Sequence, residues 1–140
     1  MLRAVFCALL LAAPLQAAQL RNCDTFDANA SNVDWQEPTR AYANGNVRLI
    51  KIDIEEPACC AVFLMVLYPV PDQPFLNCAL IGRDDSFGWA DLNLPSAMSD
   101  YDPQTGLAIT LPVRAFDGDT FQEEQLRVTI DQALGSILVE

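Results

Sequence analysis

The segment Cys60–Tyr68 reads CAVFLMVLY, apolar on both parities, with Pro57 and Pro69 outside its two ends. A strand with one wet face alternates polar and apolar residues, so this run predicts a strand covered on both sides. A short buried helix competes, since Ala, Leu and Met accept helix. The β-branched and aromatic residues and the flanking prolines favour the strand. Even extended back to Ala58, the run is too short to cross a bilayer, which takes about 20 apolar residues. The rest of the chain must therefore supply two covering layers.

The sequence around this segment is punctuated like a β protein. Thr39–Ala43 and Asn46–Ile54 flank Asn44-Gly45, a pair that tolerates the positive φ of a type I′ turn, and a β-hairpin is expected there. Ile50, Ile52 and Ile54 alternate with Lys51, Asp53 and Glu55, which sets Lys51, the only lysine, on an outward wet face as a solubility charge. Val47 and Leu49 have the other parity, so a bulge is expected near Leu49. Further strands are expected at Phe75–Ile81, Phe87–Leu94, Leu107–Phe116, Leu126–Asp131 and Ser136–Val139. Pro112 should mark an edge or a bulge, and Pro95–Gly106 reads as a long loop. The expected fold is all-β, an antiparallel β-sandwich or small barrel of about eight strands, formed by a single domain over residues 39–140. An irregular lead-in, residues 19–38, precedes it and carries the glycosylation-type triplet Asn29-Ala30-Ser31.

Residues 1–18 read as a cleavable secretory signal peptide: Arg3, an apolar run from Ala4 to Ala13, then small residues at Ala17 and Ala18. Arg21-Asn22 before Cys23 does not suit a lipid-attachment site, so no membrane anchor is expected and the product is exported, periplasmic in a Gram-negative host and secreted otherwise. Cys7 leaves with the leader. Cys23, Cys59, Cys60 and Cys78 remain, an even set that predicts a disulfide-stapled domain. Two of the possible pairings join Cys23 and Cys78 to one member each of the adjacent pair. The third, Cys59 with Cys60 and Cys23 with Cys78, needs an eight-membered ring and is the least expected.

Charge and residue types narrow the function. The chain has 140 residues, no His, and 8 Lys and Arg against 19 Asp and Glu, so loss of the leader with Arg3 leaves a net charge of -12. The missing imidazole excludes Ser-His-Asp and Cys-His catalysis and His-ligated metals. The acidic field disfavours nucleic acid and favours a basic protein or peptide. Asp117-Gly118-Asp119 before Glu123 lacks the third oxygen position and glycine of an EF-hand loop, and Asp84-Asp85 reads as a charged turn, so no metal and no cofactor are expected. Met98, Asp100, Tyr101 and Asp102 are the candidate binding residues, an aromatic anchor flanked by acids in the long loop. The expectation is a non-catalytic, possibly inhibitory, binding domain. The alternatives are a metal- or redox-active thiol protein centred on Cys59-Cys60 and a small hydrolase using paired carboxylates.

Overall fold

The computed structural model describes residues 18–37 and 39–140; the leader expected over residues 1–18 lies outside them except for Ala18. The strands, in chain order, are β1 (Gln19–Asn22), β2 (Arg40–Tyr42), β3 (Val47–Asp53), β4 (Val62–Tyr68), β5 (Asn77–Gly82), β6 (Asp91–Leu92), β7 (Met98–Asp102), β8 (Gly106–Phe116), β9 (Phe121–Asp131) and β10 (Ser136–Val139). They form two antiparallel sheets. The first runs β1-β5-β4-β3-β2; the second runs β10-β9-β8-β6, with β7 also on β8. The all-β sandwich is as expected, and the run at residues 62–68 is a central strand rather than a helix. Two strands were not anticipated: β1, from the lead-in, and β7, from the long loop.

Both parities of β4 are covered. Leu64 and Val66 join Val47, Leu49, Ala79 and Ile81 against the second sheet, which contributes Leu107, Ile109, Leu111, Leu126, Val128 and Ile130 to the same core. On the outer face Phe63 packs with Ile52 and Leu80 in a smaller cluster, closed by Ala28 and Val33 of the lead-in. The lead-in therefore serves as a third layer. The β2–β3 hairpin forms as expected, with Ala43, Asn44 and Gly45 all at positive φ. The expected bulge at Leu49 is absent: β3 pairs with β4 in one unbroken register from Arg48 to Asp53. No bulge is needed because both faces of β3 are covered, so Val47 and Leu49 point to one layer and Ile50 and Ile52 to the other.

Lys51 corrects a second expectation. It shares the parity of Val47 and Leu49, so it faces the second sheet, and it is only 8% exposed. Its ammonium lies 2.8 Å from Asp91 of β6, 3.1 Å from Glu37 and 3.4 Å from Asp34. One cation thus ties the lead-in and the second sheet to β3. Asp34 is held in place by its backbone N–H donation to the Lys51 carbonyl and by the Val33–Ile52 bridge, which extends the sheet edge where β2 stops. Burial alone would lower the lysine pKa, but hydrogen bonds and charge from Asp91 and Glu37 outweigh it and raise the pKa. For Asp34, burial works upward, while the Gln36 N–H and the Lys51 charge bring the net value below the ordinary 3.8.

Pro112 also departs from expectation, since β8 is internal and its pairing with β9 runs unbroken through Pro112 and Gln125. The Pro112 carbonyl accepts from Asn93 N–H. Its missing N–H faces the same side, where β6 gives way to a 3₁₀ turn at Leu94–Ser96 and no ladder needs a donor.

The disulfide pairing is the one least expected. Cys23 joins Cys78, and Cys59 joins Cys60 across a cis peptide. The β1–β5 register explains the first: Asn22 pairs with Ala79, so Cys23 and Cys78 are the next facing pair, with Cα atoms 5.7 Å apart. The expectation for the adjacent cysteines assumed strand geometry with sulfurs on opposite faces. They lie instead in a bend ahead of β4, where that alternation does not apply.

Two stability measurements follow. The Cys23–Cys78 bridge closes a loop across a sequence separation of 55, whereas the adjacent pair constrains almost nothing in the unfolded chain. In urea unfolding, the double variant C23S/C78S should lose about 4 kcal/mol, and C59S/C60S less than about 1 kcal/mol. Lys51→Met leaves three carboxylates facing one another and should cost about 1–3 kcal/mol, below the cost for a fully buried pair because the acids are partly solvated. The sign of the pH dependence is fixed by the two shifts. The lowered Asp34 adds stability that is complete above pH 3.8 and lost as pH falls through its native value. The raised Lys51 adds stability that is complete below pH 10.5 and lost as pH rises through its native value. In the pH–stability curve of Lys51→Met the Lys51 contribution should disappear and the Asp34 contribution should shrink to the part held by the Gln36 and Glu37 N–H groups.

Candidate functional site

β7 is positioned by anchors at both ends. Asn93 Oδ1 accepts the Ser96 N–H at 3.1 Å, Leu94 and Ala97 are buried, and the chain leaves the core at Met98. At the other end Asp102 Oδ1 accepts the N–H groups of Gln104 and Thr105, and Gly106 at positive φ starts β8. The expected loop is therefore a tight hairpin. Between these anchors all five residues, Met98 to Asp102, are exposed.

The register sorts the candidate binding residues. Met98, Asp100 and Asp102 pair with Thr110, Ala108 and Gly106, which puts the three on the outer face of the second sheet. Tyr101 pairs with Leu107 and shares its core-facing parity, yet it is 63% exposed because β7 overhangs the rim. The structure thus brings Met98 and the two acids together and places Tyr101 on the opposite side of the same strand. The β6 end of this edge is tied to the first sheet by Lys51 on Asp91 and by Arg40 donating to the Pro95 carbonyl. Among the described residues, β8 is the only strand paired with β7.

A second feature lies at the opposite end of β8. An open groove of about 320 Å³ is lined by Asp53, Glu55, Cys59, Cys60, Arg114 and Phe121 among others, so both sheets contribute. Cys59 is exposed and Cys60 half-buried, its carbonyl accepting Gly88 N–H. The Arg114 guanidinium sits 4.8 Å from the Phe121 ring centroid, a cation–π pair that sequence reasoning missed. Its only signal was a cationic residue on the wet parity of β8, and the partner lies on the next strand. Asp53 Oδ1 accepts the Glu55 N–H at 2.8 Å.

The other acidic clusters are occupied by their own backbone. Asp84 Oδ1 accepts from Ser86 and Phe87, and Asp117 Oδ1 from Asp119 and Thr120. The Thr120 and Asp119 N–H groups hold the Asp117 carboxyl below its ordinary pKa. Among the described residues, no three Cys, Asp or Glu side chains converge in a way that could hold a metal ion, and no helix is long and apolar enough to cross a membrane. Comparison of the chain with protein-family models, curated proteins and solved structures finds no match.

The two disulfides differ in access: Cys23 and Cys78 are both half-buried, while Cys59 is exposed at the groove. Graded treatment with a dithiol followed by alkylation and mass mapping should label Cys59 and Cys60 before Cys23 and Cys78. Simultaneous labelling, or the reverse order, would contradict this assignment.

Proposed function

We propose that this chain is an exported, non-catalytic binding domain for a basic protein or peptide, with β7 as its contact surface. The observation that carries the reading is an edge strand whose five residues are all exposed, bearing Asp100 and Asp102 on one face and Tyr101 on the other. Aromatic and methionine side chains supply contact area there, and the acidic field of the whole chain steers a cationic partner toward it. The Cys23–Cys78 bridge accords with an oxidising compartment.

A second reading, thiol–disulfide chemistry at Cys59-Cys60, is favoured by the exposure of Cys59 on the groove. It predicts that C59S/C60S abolishes activity in a disulfide-exchange assay. The binding reading predicts that the same variant binds cationic ligand as the parent does.

A titration with a fluorescent oligolysine tests the leading reading. Binding should weaken by about tenfold or more between low and physiological salt, because steering between exposed charges is screened within a Debye length of about 8 Å. Asp100→Asn should weaken it further at low salt, without change in melting temperature. Salt-insensitive binding, or an unaffected variant, would remove β7 from consideration.

A further inference from the structure

We propose that β7 takes its partner as an added β-strand: an extended segment in which Lys or Arg alternates with uncharged residues. This rests on the binding reading above and specifies its mode. The backbone supplies the first argument. Among the described residues β7 is paired on its β8 side alone, so the N–H and C=O groups of its other edge form a row ready for a further strand. Its five residues span about 17 Å, enough to hold a segment of similar length.

Side-chain register supplies the second. Paired residues on neighbouring strands share a face, so an incoming residue opposite Asp100 meets a carboxylate flanked by Met98 and Asp102 on that face. The residues before and after it fall beside Ser99 and Tyr101 on the other face. A segment with cations at every second position therefore matches Asp100 and Asp102, and an uncharged residue between them matches Tyr101.

Charge singles out this edge and this occupant. The other outermost strands of the two sheets are shorter: β1 and β10 have four residues, β2 has three and β6 has two. β1 carries Arg21, β2 carries Arg40, Ser136–Val139 of β10 carries no charge, and the one acid of β6, Asp91, is already paired with Lys51, so none attracts a cationic strand. A second copy of this chain fits β7 poorly, since antiparallel pairing over all five residues sets Asp100 against Asp100.

The test uses the full protein and a heptapeptide alternating Lys with Val, plus two isomers with N-methyl groups on either the odd or the even backbone nitrogens. A strand donates through one edge to its neighbour, so one isomer should bind about as well as the parent peptide and the other should lose about tenfold or more. Asp100→Lys should abolish binding of the parent peptide while the protein melts as before. If both isomers bind like the parent, or both lose equally, strand addition is wrong although cation binding stands. If a block peptide of the same composition and the alternating peptide both fail to bind, the binding reading falls as well. Binding untouched by Asp100→Lys would place the site elsewhere, and dimerisation of the free protein through β7 would show that the edge belongs to a second copy.

Discussion

The fold depends on the need to cover both faces of β3 and β4. Phe63, Ile52 and Leu80 point one way, and Leu64, Val66, Val47 and Ile81 point the other. A two-layer sandwich satisfies only the second set. The lead-in is recruited for the first, which is why residues with turn-like composition fold back over the first sheet. Its attachment is distributed: β1 pairs with β5, Cys23 is bonded to Cys78, Val33 bridges Ile52, and Asp34 and Glu37 meet Lys51. Arg21, over the Phe63 ring at 5.2 Å and ion-paired with Asp27, roofs the same cluster.

This constraint explains what was legible in the sequence and what was not. The double-sided run at 62–68, the Asn44-Gly45 turn and the alternation in β8 and β9 are local signals, and each produced the element it suggested. Lys51 was misplaced because period-two reasoning assumes that a polar residue marks the wet face. In β3 neither face is wet, so parity with Val47 and Leu49 was the informative comparison, and the three carboxylates that accommodate the cation are remote in sequence. The bulge at Leu49 failed for the same reason. β7 was missed because Met98-Ser99-Asp100-Tyr101-Asp102 lacks an apolar face; the sandwich does not bury this strand, so burial left no pattern to read. Of the candidate residues, the composition singled out one segment, while the separation of Tyr101 from the two acids on it needed the register with β8.

Acidic residues are the commonest charged type here, and the structure divides them by task. Asp34, Asp84, Asp102, Asp117 and Asp131 each accept backbone N–H groups two and three residues ahead, closing turns that glycine or asparagine close in other β proteins. Asp34 also faces Lys51, so one carboxylate can shape a turn and hold a buried cation. A surplus of acid in a small β domain is therefore partly turn chemistry. The acid left over for the proposed recognition is smaller than the net charge implies, and it includes Asp100, within a strand and between turns.

The two sheets differ in how they leave their edges. The first ends on the short strands β1 and β2, and its β3 rim is continued by Val33 and Asp34. The second ends, on the β8 side, in a strand broken by the turn at Leu94–Ser96: β6 is drawn against the first sheet by Lys51, and β7 continues past the rim. An edge left open this way would pair with its own copies unless something opposed it, and like charge on an outward face is one such opposition. The same charge does not oppose a strand of the opposite sign. In the proposed binding mode, protection from self-association and selectivity for a cationic partner would rest on one residue type at one place, where the chain breaks between β6, held by Lys51, and β7.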